Sequence, residues 1–300
     1  MKYKITPNLW FAGNAQEAAE FYAAAFPGSR ILSKIYYPKR AEEGLAEFQA
    51  DFAGKVLTID FELGQHAFTA INAGPDFKFN PSISFMVNFD PSKDDQAQEH
   101  LKERWQILGD GGQVLMPLGP FPHSKLYGWV ADRYGLTWQL ILSDPAGDPR
   151  PFIIPSLLFT GENLNHAEEA VYYYVSIFDD AKIGTLNKYP GDHGPAKAGA
   201  LMYSDFTLAN QWFAAMDSAV EQDFAFNEAI SLSVSCKDQA EIDYFWEKLS
   251  SDPQFEQCGW CKDKFGVSWQ IVPENIEELM GKPNAYAHMM DMKKLVIADF

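Results

Sequence analysis

Histidine and cysteine are the side chains that most often bind metals or act as nucleophiles, but their spacing here suits neither role. The six histidines form no HExxH motif and no close pair. Cys258-Gly-Trp-Cys261 has CxxC spacing, yet no second Cys or His pair completes a four-ligand zinc site. The residues around it predict a strand, whereas an activated redox thiol would sit at a helix N-terminus. With Cys236 there are three cysteines, a count typical of reduced thiols in a cytosolic chain.

Glycine-rich and nucleophile motifs are equally uninformative. Gly109-Asp-Gly-Gly112 follows a predicted helix and precedes a predicted strand, which is the reverse of a cofactor-binding turn. It predicts a helix C-cap and a turn, and it argues against a methyl-donor site. No GxSxG or P-loop sequence occurs. We therefore predict no cofactor.

Composition excludes several classes of partner. The chain has 300 residues, 47% of them hydrophobic, which suits two globular domains. No apolar run reaches the ~20 residues of a membrane span, and the N-terminus has no signal-peptide pattern. A net charge of −17 repels phosphate backbones and anionic lipids. We expect a cytoplasmic protein with neither nucleic-acid nor membrane partners.

The elements that must position any site come from an internal repeat. Four segments recur in order: 5–13 as 153–161, 15–26 as 167–178, 80–87 as 227–234, and 128–141 as 259–272. Breaker-rich residues 144–151 separate the copies. The predicted organisation is a first domain (1–143), a linker (144–151), a second domain (152–275) and a helical tail (276–300). Residues 116–125 have no counterpart in the second copy and are predicted to be a loop.

Within each copy the hydrophobic period alternates between helical and extended. Helices are predicted at 15–26, 94–108 and 238–249, and strands at 82–89 and 231–236. The order is βαβββ written twice per copy. Asp132 and Asp263 each precede an aromatic-glycine pair, which predicts a turn rather than a catalytic carboxylate.

These segments resemble the PhnB-like, or 3-demethylubiquinone methyltransferase-like, branch of the vicinal-oxygen-chelate (glyoxalase/bleomycin-resistance) superfamily. The pattern Pro-x-Leu-x-Phe-x-Gly, followed by Glu-Ala and Phe-Tyr, opens the first copy. Gly-Trp…Asp-x-x-Gly-x-x-Trp-Gln closes both copies. The resemblance covers almost the whole chain. It implies an α+β fold of two tandem glyoxalase-like domains, each built from paired βαβββ modules that form a curled, cup-shaped sheet.

The resemblance also allows a test for a metal site. Metal-using relatives place one ligand on the first strand and one on the last strand of each module. By position, these slots fall at Pro7, Phe68 or Thr69, Ser82 and Gln139 in the first copy, and at Pro155, 213–216, Ala229 and Gln270 in the second. His66 reaches its slot only after a two-residue slip. Since one glutamine per cup is too few donors for a divalent ion, we predict no metal site.

Five residues are predicted to line the cups. Gln139 and Gln270 occupy the ligand slots, and strand alternation then turns Trp138 and Trp269 toward the helices. Trp129 and Trp260 have two interpretations, core packing or an aromatic wall for a flat ligand. His123, in the Pro-rich segment, is placed near the mouth of the first cup.

Three hypotheses about function remain open at this level. The first is a protein that binds a small organic molecule in a metal-free cup. The second is a metal-dependent lyase, isomerase or dioxygenase-type enzyme of the same superfamily. In the third, one copy has lost its cup and serves as an internal dimerisation partner. Fusion of the copies would replace a homodimer by an internal pseudo-dimer, so the chain is expected to act as a monomer.

Overall fold

A computed structural model describes residues 3–300, which form fifteen strands and six α-helices. The strands are β1 (Ile5–Phe11), β2 (Arg30–Tyr36), β3 (Val56–Leu63), β4 (His66–Asn72), β5 (Ile83–Phe89), β6 (Gln113–Phe121), β7 (Ser124–Ala131), β8 (Thr137–Leu142), β9 (Ile153–Phe159), β10 (Lys182–Lys188), β11 (Leu201–Leu208), β12 (Gln211–Asp217), β13 (Ile230–Cys236), β14 (Trp260–Lys262) and β15 (Ser268–Pro273). The helices are α1 (Ala15–Ala25), α2 (Ala97–Gly109), α3 (Ala167–Ile177), α4 (Gln239–Leu249), α5 (Ile276–Met280) and α6 (Ala285–Asp291).

The elements group into four modules, each a strand, a helix and further strands. The first three are complete βαβββ units, as predicted. The fourth has only β14 and β15 after its helix, with a 3₁₀ turn at Pro253–Phe255. The prediction of a loop at 116–125 is wrong, because β6 extends to Phe121 and pairs with β7. The segment unique to the first copy is therefore most of an edge strand and its hairpin turn.

Strand pairing mixes the two copies. One sheet has seven strands in the order β14-β15-β13-β1-β4-β3-β2, and the other has eight in the order β10-β11-β12-β9-β5-β8-β7-β6. Each sheet joins a module of the first copy to a module of the second through antiparallel first strands, with Asn8 opposite Ser231 and Ser84 opposite Ser156. The predicted α+β class with two curled sheets is confirmed. The expectation of one cup within each copy is wrong, because each curled sheet combines a module of the first copy with a module of the second. All four modules share one sequence pattern, so only tertiary packing selects their partners.

The helices cover the opposite faces of the sheets and form the main core. Trp138 and Trp269 are fully buried there, as the alternation argument predicted. Asp263 is also buried and accepts hydrogen bonds from Phe265 N (2.8 Å), Val267 N (3.0 Å), Trp269 Nε1 (2.8 Å) and Tyr174 Oη (2.7 Å). The predicted turn role of this aspartate is confirmed.

Reciprocal contacts relate the two halves as an internal pseudo-dimer. Asn80 Nδ2 donates to the carbonyl of Ala225 at 2.9 Å, and Asn227 Nδ2 donates to the carbonyl of Lys78 at 2.9 Å. The tail helices α5 and α6 lie over the concave face of the seven-stranded sheet, where Tyr286 packs near Tyr37. Across residues 3–300, no helix is long and apolar enough to cross a membrane.

Candidate functional site

The concave face of the seven-stranded sheet encloses a cavity of about 850 Å³, which we call the open cup. Its floor comes from the central strands β1, β4, β13 and β15, and one wall comes from β3 and β2. The tail closes the top with Met280, Tyr286, Met289 and Met290. The cavity is large enough for a drug-sized molecule, and most of its wall is apolar.

The floor of the open cup carries neutral polar groups. Gln270 Nε2 donates to Ser231 Oγ at 2.9 Å, and Asn8 lies opposite both Ser231 and Thr69 in the strand registers. Asn8 is 5% exposed, and its Oδ1 has no hydrogen-bond partner among the described residues. A buried acceptor without a donor costs about 1–3 kcal/mol, so the floor of the open cup contains a polar group that the described residues leave unsatisfied.

A carboxylate stands beside this floor on β3. Asp60 lies opposite Thr69 and accepts hydrogen bonds from Thr69 Oγ1 (2.6 Å) and Ser33 Oγ (2.7 Å). The nearby Glu62 pairs instead with Arg30, at 3.1 Å. Asp60 is thus held in place by two hydroxyl groups, and neither of them carries a positive charge.

The cysteines divide between two environments. Cys258 lines the open cup and contacts Met290, whereas Cys261 is buried in the main core. Burial raises the pKa of both thiols, so both are neutral at pH 7. The CxxC spacing thus places its two thiols in different surroundings, one in the open cup and one in the core.

The concave face of the eight-stranded sheet is filled by side chains, and we call it the closed cup. Met86, Ile154 and Ala214 are buried there, with Tyr203 and Trp212 packed against them. Gln139 is 4% exposed, donates to Ser84 Oγ at 2.6 Å and accepts from Tyr127 Oη at 2.7 Å. Both polar atoms of Gln139 therefore have a protein partner, whereas Asn8 Oδ1 of the open cup has none among the described residues.

Equivalent positions explain why one cup is open. Aligning the repeats and the strand registers matches large residues of the closed cup to small ones of the open cup. The pairs are Met86 with Ser233, Tyr127 with Cys258, Ile154 with Thr6, Tyr203 with Thr58, and Trp212 with Ala67. All five open-cup residues line the cavity. The missing side-chain volume is therefore built into the sequence of the open cup.

The predicted cup-lining residues divide between the two cups. Gln270 and Trp260 lie opposite each other in the register and line the open cup. Gln139 and Trp129 occupy the same positions in the closed cup. His123 is exposed in the β6–β7 turn, where its ring contacts that of Tyr127 at 4.8 Å between centroids. Only two of the five thus reach the cavity.

The slots assigned by position at Thr69 and Gln270 line the open cup, whereas its two first-strand slots were displaced by one or two residues. Strand alternation directs Asn8 rather than Pro7 into the open cup, and Ser231 rather than Ala229 belongs to its floor. Asp60 was missed entirely. The sequence contained a signal for it, because Asp60 lies two residues before Glu62 on β3. Residues two apart on a strand share a face, so the two carboxylates were expected on the same side of the sheet.

The donor set of the open cup does not fit a metal centre. The floor positions carry neutral amides and hydroxyls, whereas zinc and transition-metal sites use three or four convergent imidazole, thiolate or carboxylate donors. His66 lies on the opposite face of β4 beside Phe68, and its burial lowers its pKa to about 4. Among the described residues, no three His, Cys, Asp or Glu side chains are grouped to hold an ion.

Paired modules with curled sheets define a glyoxalase-like fold. Glyoxalase I from Zea mays is 14% identical, with a TM-score of 0.52, and the match covers 91% of this chain and 95% of that one. At this identity the similarity concerns the fold alone.

The family follows from sequence. The sequence model of the family described as 3-demethylubiquinone-9 3-methyltransferase matches residues 3–141 and 151–272, and the chain belongs to that family. A PhnB protein from Bacillus cereus is 33% identical over 47% of this chain and 100% of that chain, with a TM-score of 0.40. A comparison with curated proteins found no match.

Proposed function

We propose that this protein binds a small organic molecule in the open cup, without a metal ion. The observation that carries the proposal is the cavity of about 850 Å³, which has a largely apolar wall and is lined at its floor by Asn8, Thr69 and Gln270. An apolar cavity with a few oriented polar groups is the usual form of a small-molecule site. The family name does not extend to a methyl-transfer proposal, because no glycine-rich turn of the required strand–turn–helix kind is present in the sequence.

The tail gives the site its closure. Tyr286, Met289 and Met290 on α6 form part of the wall, and methionine side chains adapt to ligands of different shape. Cys258 N donates to the carbonyl of Met292 at 2.7 Å and Gly259 N to that of Lys293 at 2.7 Å, so backbone hydrogen bonds attach the tail to the rim. This organisation favours a ligand that is enclosed rather than one that lies on the surface.

Filling the cavity tests the proposal. A neutral apolar dye, N-phenyl-1-naphthylamine, should bind with one-to-one saturation measured by fluorescence. Ser233→Met introduces the residue of the closed cup into the open one and should weaken dye binding at least about tenfold, since it occupies the ligand volume. Ser176→Met makes the same change at an exposed position on α3 and should leave binding unchanged.

Two results would count against the proposal. One is a dye signal that does not saturate, and the other is equal binding by the wild type and Ser233→Met.

Added zinc, nickel, manganese or iron should shift the melting temperature by less than about 1 °C. A metal ion that bound a specific site at a hundred times its Kd would instead raise the unfolding free energy by about 2.7 kcal/mol, and the melting temperature with it. A shift of several degrees that Gln270→Ala removes would establish a metal site instead.

A further inference from the structure

Two indole rings form a corner in the open cup. Trp10 follows Thr6 and Asn8 on the cavity face of β1, and Trp260 on β14 lies opposite Gln270. The centroids of the two rings are 5.8 Å apart, and their planes meet at 78°. Both side chains line the cavity and are only partly buried. The cavity therefore has two aromatic walls at nearly a right angle.

The protein holds this corner in place. Trp10 Nε1 donates to the carbonyl of Gly74 at 2.7 Å, and the ring of Phe77 contacts the indole edge to face, with 5.0 Å between centroids. The backbone before Trp260 is attached to the tail by the hydrogen bonds of Cys258 N and Gly259 N. Because both orientations are set without a ligand, little conformational entropy is lost when a ligand contacts the rings.

The closed cup has a leucine in place of one of these rings. The repeat alignment equates Trp10 with Leu158, and the backbone N–H groups of both residues make the same hydrogen bond across their seams. Trp129 takes the place of Trp260, since each lies opposite the glutamine of its sheet. The second indole is thus particular to the cup that contains the cavity.

The tail supplies a wall that suits the same kind of ligand. Met280, Met289 and Met290 line the cavity from α5 and α6. Thioethers are polarisable and make favourable contacts with aromatic rings, often at the ring edge. A flat aromatic ligand can stack on one indole, meet the other edge to face and contact methionine sulfur. A saturated ligand of the same size would gain only from the burial of its surface.

We infer that the open cup selects a planar aromatic molecule over a saturated molecule of the same size, with Trp10 and Trp260 as the residues that determine this specificity. The inference rests on the proposed binding function and names the chemical class of its ligand. If the two indoles only packed the sheet, binding would not depend on the aromatic character of the ligand. Trp138 and Trp269 show a packing role, because both are fully buried in the main core.

Two probes with the same carbon skeleton separate aromatic contacts from hydrophobic burial. 2-Naphthalenemethanol is planar, and decahydro-2-naphthalenemethanol is its saturated counterpart with the same hydroxyl group. In competition with N-phenyl-1-naphthylamine, the planar alcohol should bind at least about fivefold more tightly, because it forms two aromatic pairs that the saturated rings cannot form. Trp10→Leu introduces the closed-cup residue and should lower this ratio to less than about twofold, with little change in the affinity for the saturated alcohol.

Further variants guard against misfolding of Trp10→Leu. Trp260→Leu should also lower the ratio, whereas Trp10→Phe and Trp260→Phe keep an aromatic ring and should retain the preference. Trp129→Leu makes the matched change in the closed cup and should leave the ratio unchanged.

Equal binding of the two alcohols by the wild type would overturn the inference, as would a preference that survives in both Trp10→Leu and Trp260→Leu. In those cases saturable dye binding would still support the small-molecule site. Absence of saturable dye binding by the wild type would reject both proposals.

Discussion

Asp263 shows how a single buried residue links the fold to pH. It is 4% exposed and receives four hydrogen bonds, yet burial raises its pKa to about 6. The hydrogen bonds favour the charged form, and desolvation outweighs them. Asp132 occupies the equivalent turn in the first copy, and burial also raises the pKa of its carboxyl.

The sign of the pH effect follows from linkage. The folded protein keeps a proton on Asp263 up to about pH 6, whereas the unfolded chain loses it near pH 4. The contribution of protonated Asp263 to the unfolding free energy is therefore fully present below about pH 4 and is lost as the pH rises through about 6. The unfolding free energy of the wild type minus that of Asp263→Asn should therefore fall by roughly 2–3 kcal/mol between pH 4 and pH 7. Urea titrations at several pH values measure this difference, and a flat or rising difference would contradict the assignment.

Among the elements, the first strands of modules two and four explain the difference between the cups. β5 and β13 have the same length and the same place at a seam, but Met86 faces the closed cup where Ser233 faces the open one. Side-chain packing in the closed cup stabilises the fold. The open cup lacks this packing and has a cavity that can hold a ligand instead.

Met86→Ala tests the packing of the closed cup. Met86 is 7% exposed and contacts a buried cluster, so truncation should leave a cavity and lower the unfolding free energy by about 2–4 kcal/mol. Ser233→Ala, at the equivalent position, should change it by less than about 1 kcal/mol. Chemical denaturation of the two variants gives the comparison. A loss below 1 kcal/mol for Met86→Ala would show that the closed cup is loosely packed.

On the scale of the whole molecule, each sheet depends on both copies. β1 pairs with β13 across one seam, and β5 pairs with β9 across the other. A single copy would expose two central strands with unpaired N–H and C=O groups, together with their apolar side chains. The fused chain supplies both partners of each seam, which is why we expect it to act as a monomer of 33.8 kDa.

Expression of residues 1–146 tests this dependence. The fragment should self-associate, because its free β1 and β5 edges can each be covered by a second copy. Light scattering after gel filtration should therefore give a dimer or larger species for the fragment and a monomer for the full chain. A monomeric fragment as stable as the full chain would be inconsistent with shared sheets.

The sequence by itself determined the four modules, their helices and the positions of their core tryptophans. These features are local: alternation placed Trp138 and Trp269 on the helix side, and turn chemistry assigned Asp132 and Asp263. The sequence also contained the difference in side-chain size between the cups, which becomes apparent when Met86 is aligned with Ser233.

Only the tertiary structure decided which modules share a sheet, and therefore which residues share a cavity. All four modules carry the same pattern, so local propensity cannot distinguish a partner in the same copy from one in the other. Contacts such as Arg150 with Asp205 join residues far apart in the chain, and their geometry depends on the completed sheet. For the same reason Asp60 and Asn8 became visible as neighbours in one cup only when β3, β4 and β1 were assembled side by side.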